Sequence, residues 1–199
     1  MPANKNSRRE PSLLVGSKVT VTVEKLAVGG AGVARHEGMV VFIPQAAPSE
    51  TLLVEITEVK KNFSEAKILQ IVKPSPSRRT PPCSVADVCG GCNWQHLTEQ
   101  EQLLQKHTLV FDTLKKFLRD IPFEYLPIIP SPKSLRYRNR IQPKFKAPRF
   151  GFFERGSHQI VNISDCLITE EKLTEKFSEV RLWAEKQNSK ELLKLEMYI

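Results

Sequence analysis

Four cysteines constrain the fold of this chain more than any other feature of its 199 residues. Three of them, Cys83, Cys89 and Cys92, form the pattern C-x5-C-G-G-C, and the fourth, Cys166, lies far downstream. In a reducing compartment disulfides are disfavoured, and clustered thiols usually bind metal. A metal held by all four residues would tie residues 83–92 to the segment around Cys166.

The distribution of the four thiolates bears on which metal they bind. Four thiolates complete either a tetrahedral zinc site or a four-iron, four-sulfur cluster. Zinc sites usually take two ligands from each of two short turns, whereas this sequence offers three on one loop and one far away. Glycines at positions 90 and 91 would let backbone amides approach inorganic sulfides. The spacing therefore favours the cluster, with zinc and four unrelated buried thiols as the alternatives.

The charge of the chain favours a polyanionic partner. Thirty Lys and Arg residues against 22 Asp and Glu residues give a net charge of +8, and basic domains of this kind commonly bind nucleic acid. Between Lys133 and Arg155 there are eight basic residues and one acid, with five aromatic residues interleaved. Guanidinium groups near aromatic faces are typical of RNA binding. A solvated strand face over an aromatic core is the alternative.

The sequence contains neither a membrane anchor nor a secretory signal. The longest apolar run without charge, residues 39–49, is too short to span a bilayer and contains a proline. Residues 1–12 are polar and basic and lack the apolar segment of a signal peptide. We therefore expect a disordered leader and a cytoplasmic protein with no membrane partner.

Two folded parts are predicted on either side of a proline-rich linker at residues 74–82. Residues 13–73 alternate with period two and contain five short strands, which is typical of a small all-β barrel of the oligonucleotide-binding type. The glycines within residues 29–32 are interpreted as a hairpin turn, because their spacing is not that of a nucleotide-binding loop. Residues 83–199 form a smaller part with helices and strands, which gives an α+β chain overall.

The second part begins with a helix whose start is marked in the sequence. Thr98 and Glu101 form a capping box, and the amphipathic pattern that follows ends before Pro122. Further elements are predicted downstream: strands over residues 135–146, 150–155 and 158–164, a helix over 170–186, and a strand from 193. That last strand would leave an unpaired edge at Ile199, which indicates the front part of a longer protein.

Eight basic residues are predicted to contact phosphates. Alternation in a strand over 135–146 would place three of the arginines on one face; as the alternative, they would be structural and pair with Glu154 or Asp165. The candidates are Arg136, Arg138, Arg140, Lys144 and Arg155 in the second part, and Lys60, Lys61 and Lys67 in the barrel.

Several motifs together resemble the RNA uracil-5 methyltransferases. They are a TRAM-type barrel over 13–73, Cys83-x5-Cys89-Gly90-Gly91-Cys92-Asn93-Trp94-Gln95-His96, Tyr137-Arg138-Asn139-Arg140, Gly151-Phe152-Phe153-Glu154-Arg155 and Val161-x3-Asp165-Cys166. Within that family the sequence is most similar to the iron–sulfur branch that methylates 23S ribosomal RNA. The resemblance extends over residues 13–199, and Asn93 and Leu167 depart from the family pattern.

The resemblance implies a three-part enzyme: a TRAM domain that grips RNA, a central domain whose four cysteines hold a four-iron, four-sulfur cluster, and a Rossmann-like domain that binds S-adenosylmethionine. In the family a cysteine adds to a flipped uracil. All four cysteines here are assigned to the cluster and no G-x-G-x-x-G loop follows a strand. The catalytic and cofactor-binding residues are therefore expected beyond Ile199.

Two functions follow as expectations. The first is the front half of the methyltransferase, which as these 199 residues alone would be a monomer that binds ribosomal RNA without methylating it. The alternative is a stand-alone RNA-binding protein with a structural metal site and no catalysis.

Overall fold

The computed structural model describes residues 13–187 and 191–199 and divides the chain into two compact units, one up to Arg78 and one from Arg79. The leader predicted at residues 1–12 lies outside the described residues. Within the described ranges, every helix is too short or too polar to cross a lipid bilayer.

The first unit is a six-stranded sheet that closes on itself. Its strands are β1 (Lys18–Thr22), β2 (Lys25–Leu26), β3 (Gly32–His36), β4 (Met39–Ile43), β5 (Thr51–Val59) and β6 (Phe63–Lys73). They lie in the order β1-β5-β6-β4-β3-β2, and the β4–β6 pair is parallel. The edge strands β1 and β2 are separated in the chain only by Val23 and Glu24, and β1 also lies close to β3, so that the two edges of the sheet approach each other as in a barrel. The sequence predicted five strands, because a two-residue strand leaves no periodic pattern.

Alternation along the strands fills the interior of the barrel. In β1, Val21 is 4% exposed, whereas Lys18 and Thr20 on the other face are exposed. The hairpin before β3 is made by Gly29 and Gly30, whose φ angles of 93° and 98° suit glycine. This turn agrees with the sequence-based interpretation.

A buried carboxylate pairs with the last residue of the first unit. Glu50 is fully buried and accepts hydrogen bonds from Nε and Nη2 of Arg78 and, at 2.8 Å, from the amide of Ala47. Burial on its own would raise the pKa of Glu50, but the hydrogen bonds from Arg78 and Ala47 outweigh it and lower the pKa below its ordinary value. Arg78 also donates to the carbonyl of Gln45 at 2.7 Å, which ties it to the barrel.

The second unit combines helices with short antiparallel strands. Its elements are α1 (Glu99–Leu118), β7 (Arg140–Ile141), β8 (Lys144–Lys146), β9 (Arg149–Phe153), β10 (Ile160–Asn162), α2 (Glu171–Thr174), α3 (Phe177–Lys186), β11 (Leu193–Lys194) and β12 (Met197–Tyr198). Four strands form a sheet in the order β10-β9-β8-β11, and β12 pairs with β7. Phe145 and Phe150 on one face of the larger sheet pack with Phe177 of α3 and form the core.

The strand predicted over residues 135–146 is wrong in its first half. Arg136 has a φ of +54°, and Arg138 makes only an isolated bridge to Thr169. The amides of Arg136 and Arg138 donate to the carbonyls of Leu167 and Ile168, both at 2.8 Å. This segment is therefore held by the loop after Cys166, and the three arginines do not share a strand face.

The strand predicted from residue 193 to the end of the chain occurs as two short strands. β11 pairs with β8, and β12 pairs with β7. Between and after them, Leu195 donates to the carbonyl of Pro143 at 3.0 Å, and Ile199 donates to that of Asn139 at 3.2 Å. The segment thus divides between two sheets. The helix predicted over 170–186 is likewise divided, into α2 and α3.

Helix α1 begins where the capping box predicts. The Thr98 hydroxyl accepts a hydrogen bond from the amide of Glu101 at 3.3 Å. None of the helix's 20 residues is fully buried, and Phe117 is 77% exposed. Along its half-buried side, the ring of His107 packs against Tyr125 with 4.4 Å between ring centroids.

Candidate metal centre

All four cysteines line one cavity in the second unit. Each is half-buried and none is in a disulfide. Val85, Ile141, Phe152 and Ile163 supply apolar parts of the wall. The cavity volume is about 50 Å³, several times the roughly 10–15 Å³ that one water requires. Residues that lie far apart in the sequence are thus brought to a single space.

The loop that carries three of the cysteines is fastened to the end of β9. Cys89 forms an antiparallel bridge with Glu154, and the amide of Gly90 donates to the carbonyl of Phe153 at 2.9 Å. A Cβ at Gly90 would lie 3.1 Å from that carbonyl oxygen, which is tighter than most real contacts. The amide of Gly91 points at the Cys89 sulfur, at 3.4 Å. Strand packing therefore favours glycine at position 90, and Gly91 supplies an amide to a thiol.

Arg155 fixes the same loop through its guanidinium group. Nη2 donates to the carbonyls of Cys92 at 2.9 Å and Cys89 at 3.3 Å, and Nη1 donates to the side chain of Asn93 at 2.7 Å. Its Nε is buried and has no hydrogen-bond partner among the described residues. The structure thus places Arg155, predicted to bind phosphate, as a support of the cysteine loop.

The fourth cysteine is positioned by an ion pair. Both oxygens of Asp165 accept hydrogen bonds from Arg136, each at 2.7 Å, and Asp165 also accepts one from the amide of Cys166. Arg136 reaches the carbonyl of Cys166 as well, at 3.2 Å. The pairing of Arg136 with Asp165 is the structural alternative that the sequence left open.

The thiols influence one another electrostatically. Burial raises the pKa of the Cys89 thiol, the nearby thiols of Cys166 and Cys83 raise it further, and the Gly91 amide and Arg155 oppose the rise. Burial likewise raises the pKa of Cys92, with smaller contributions from the other three thiols. A raised pKa favours the protonated form of the Cys89 and Cys92 thiols. A bound cation would release their protons, because metal ligation requires thiolates.

The four thiols are the side chains that would hold a metal ion or a cluster. They line one cavity, with the Gly91 amide 3.4 Å from the Cys89 sulfur and the Arg155 guanidinium hydrogen-bonded to the carbonyls of the loop. Within residues 13–187 and 191–199, no three His, Cys, Asp or Glu side chains are arranged to hold one metal ion. Four thiols with an amide donor beside one of them are compatible with an anionic cluster of iron and sulfide.

The remaining candidates for phosphate contacts lie at the surface or beside the cavity. Arg138 lines the cysteine cavity. In the second unit, Arg140 pairs with Glu196, and Lys144 donates to the carbonyl of Gln142 at 3.1 Å. In the barrel, Lys60 pairs with Glu58, and Lys67 pairs with Glu55 at 3.2 Å. Lys61 is exposed beside Lys60. The lysines of the barrel belong to the first unit and the arginines to the second.

Sequence reasoning missed the part that Asn93 plays. Its side chain accepts from Arg155 and so links the cysteine loop to the end of β9. No local pattern could have revealed this contact, because its two residues lie 62 positions apart.

Comparisons with known proteins agree with this architecture. The model of the TRAM domain family matches residues 12–69. An uncharacterised RNA methyltransferase of Bdellovibrio bacteriovorus is 67% identical over the whole chain, which spans 51% of that relative. An uncharacterised RNA methyltransferase of Synechocystis is 36% identical over 91% of the chain, which there spans 40% of the relative. The chain thus spans about half, or less, of the length of these relatives.

A solved structure is similar as well. It is the Pyrococcus abyssi tRNA (uracil-54, C5)-methyltransferase in complex with S-adenosyl-L-homocysteine, with a TM-score of 0.59 and 26% identity. The similarity covers 85% of this chain and 37% of that one. The fold of this chain is therefore similar to that of part of this enzyme, and its first unit matches the TRAM domain family. The chain is a homologue of proteins named RNA methyltransferases, which confirms that part of the resemblance seen in the sequence.

Proposed function

We propose that this chain is the RNA-binding and iron–sulfur part of an S-adenosylmethionine-dependent RNA uracil-5 methyltransferase. The observation that carries the proposal is the meeting of four cysteines at one cavity in a homologue of RNA methyltransferases. Cys83, Cys89, Cys92 and Cys166 would ligate a four-iron, four-sulfur cluster. Bound there, the cluster supplies a rigid crosslink between two distant segments.

The chain's own residues then divide into supporting and RNA-facing groups. Arg155 and Arg136 hold the two ligand segments in place through the contacts described above. Arg138, Arg140 and Lys144, with Lys60, Lys61 and Lys67 of the barrel, would neutralise phosphates. Breaking their surface ion pairs in order to bind a phosphate costs little, since an exposed ion pair stabilises a protein by about 0–1 kcal/mol.

We further propose ribosomal RNA as the substrate and a cytoplasmic monomer as the working form. All four thiols line the metal cavity, so that no cysteine of this chain is left to attack a uracil. The chain alone should therefore bind RNA without methylating it. Its affinity should be micromolar or weaker, because mainly the sequence-independent electrostatic part of the interaction is present.

The experiment compares the chain with a chimera in which it replaces the matching half of its Bdellovibrio relative. Both are incubated with tritiated S-adenosylmethionine and with either 23S ribosomal RNA or bulk tRNA. We expect the chimera to label position 5 of a uridine in the ribosomal RNA, and the chain alone to bind the RNA without labelling it. Label found only in tRNA would refute the choice of substrate. Methyl transfer by the chain alone would refute the proposal that these 199 residues bind RNA without catalysing methylation.

A further inference from the structure

A second, larger depression lies beside the cysteine loop, on the side of the β8–β9 hairpin. This loop–hairpin groove has a volume of about 350 Å³, within the range of pockets that hold small molecules. One wall is the loop from Gly90 to Asn93, and the other is formed by Lys144, Phe153 and Arg155. All of these residues belong to the second unit.

The groove combines an aromatic ring with a cation. Phe153 is half-buried, and the Lys144 ammonium lies over one face of its ring, 6.0 Å from the ring centre. The ring also meets His158 edge-on, with 5.3 Å between centroids. Glu154, the one acid in the lining, accepts a hydrogen bond from Ser157. A half-exposed ring beside an ammonium group is the pairing that a base and its phosphate require.

A basic track leads away from the groove across the sheet. In the antiparallel register Lys144 lies opposite Lys194, and Lys146 lies opposite Arg149. Opposed residues and those two apart on a strand share a face, so that these four cations lie on the face opposite the Phe145–Phe150 core. Lys146, Arg149 and Lys194 are all exposed. Four positive charges on one sheet face suit an extended polyanion.

We propose that the loop–hairpin groove binds one nucleotide of single-stranded RNA. Its base stacks on Phe153, its phosphate lies at Lys144, and the strand continues over Lys146, Arg149 and Lys194. This inference rests on the proposed function, since it names where the RNA meets the second unit. The hydrogen bond from Gly90 to Phe153 makes the cysteine loop one wall of the same groove.

The test measures fluorescence anisotropy of a labelled single-stranded RNA 12-mer with the full 199-residue chain. Phe153→Leu should weaken binding about tenfold through lost stacking while leaving its salt dependence unchanged. Lys144→Gln should lower the salt slope by about 0.7. The matched controls are Phe123→Leu and Lys186→Gln, which replace an aromatic and a cation elsewhere in the second unit and should change neither quantity.

Two further measurements keep the proposal independent of the variants' folding. Ultraviolet crosslinking of the wild-type chain to a 5-bromouridine-substituted 12-mer should attach RNA to the peptide that contains Phe153. Uridine monophosphate should compete only at millimolar concentration, which would distinguish a strand from a free nucleotide as the ligand. If Phe153→Leu binds RNA with normal affinity and no crosslink forms in that peptide, the groove is not the nucleotide-binding site, and the proposed function is unaffected. Failure of the wild-type chain to bind any RNA would overturn the proposed function as well.

Discussion

Three arginines each donate two or more hydrogen bonds to acceptors that lie far away in the sequence. They are Arg155, Arg136 and Arg78. The planar guanidinium group donates along two parallel directions, which a lysine cannot do. Composition predicted only that cations would meet phosphates, because charge counts do not distinguish a supporting arginine from an RNA-binding one. The buried or paired state of each side chain decides between these roles, and it depends on distant acceptors.

The ion pair at Cys166 should control how firmly the metal is held. In Asp165→Asn the charge of the pair is lost while the shape is kept, and the loop of Cys166 loosens. Because both partners are partly exposed, we expect an effect of roughly 1 kcal/mol, or about fivefold faster loss of iron to a chelator. Arg140→Gln, which breaks the exposed pair with Glu196, is the control and should lose iron at the wild-type rate.

The buried pair in the barrel should give the first unit an acid-sensitive stability. The pKa of Glu50 is lowered in the folded state, so that its contribution is present above the ordinary carboxyl pKa and is lost as the pH falls through the folded value. Arg78→Ala leaves Glu50 buried without its partner, which should cost about 3 kcal/mol at pH 7.

Amide hydrogen exchange in β1 and β5 measures this loss locally. Arg35→Ala removes an exposed ion pair with Glu24 at 3.7 Å. It should change the free energy of opening, obtained from the exchange rates, by less than about 1 kcal/mol. Equal effects of the two substitutions would show that Glu50 does not depend on Arg78.

At the scale of elements, what could be predicted was local. The hairpin at Gly29 and Gly30 and the cap at Thr98 depend on neighbours in the sequence, and both occur as expected. The segment around Arg136 and Arg138 could not be predicted, because its backbone pairs with residues 167 and 168. The apolar stripe of α1 has the same cause: periodicity defines the stripe, but not that Tyr125 covers part of it and leaves Phe117 exposed.

The junction between the cysteine loop and β9 should tolerate no side chain at position 90. In Gly90→Ala the new methyl group approaches the Phe153 carbonyl to 3.1 Å, so that the loop must move away from the strand. We expect about 1–3 kcal/mol of destabilisation of the second unit, typical of overpacking, and a lower iron content. Ser84→Ala, an exposed change in the same loop, should have neither effect. A Gly90→Ala protein with wild-type iron content and melting temperature would show that the contact is not needed.

In the whole molecule, each of the two units carries basic residues of its own at its surface. Both units have an apolar core, with the larger set of buried residues in the barrel. The family relationship could be recognised from the sequence because it depends on motifs. The meeting of the four cysteines was also predicted from the sequence, whereas the arginines that hold their two segments became visible only in three dimensions.

Salt dependence of RNA binding measures how many of the predicted phosphate contacts form. Each contact on a single strand contributes about −0.7 to the slope of log affinity against log salt. Replacing Arg138 and Arg140 together with Ala should therefore flatten the slope by roughly 0.7–1.4. Lys176→Ala, which breaks a surface pair with Glu179, should leave it unchanged. A double variant with the wild-type slope would assign both arginines to structural roles.

Analysis of iron, sulfide and zinc in anaerobically purified protein decides whether the four cysteines hold an iron–sulfur cluster. We expect a brown protein with about four irons and four sulfides per chain, lost in Cys166→Ser and retained in Ser84→Ala. One zinc per chain without iron, or a colourless protein that cannot be reconstituted with iron and sulfide, would contradict it.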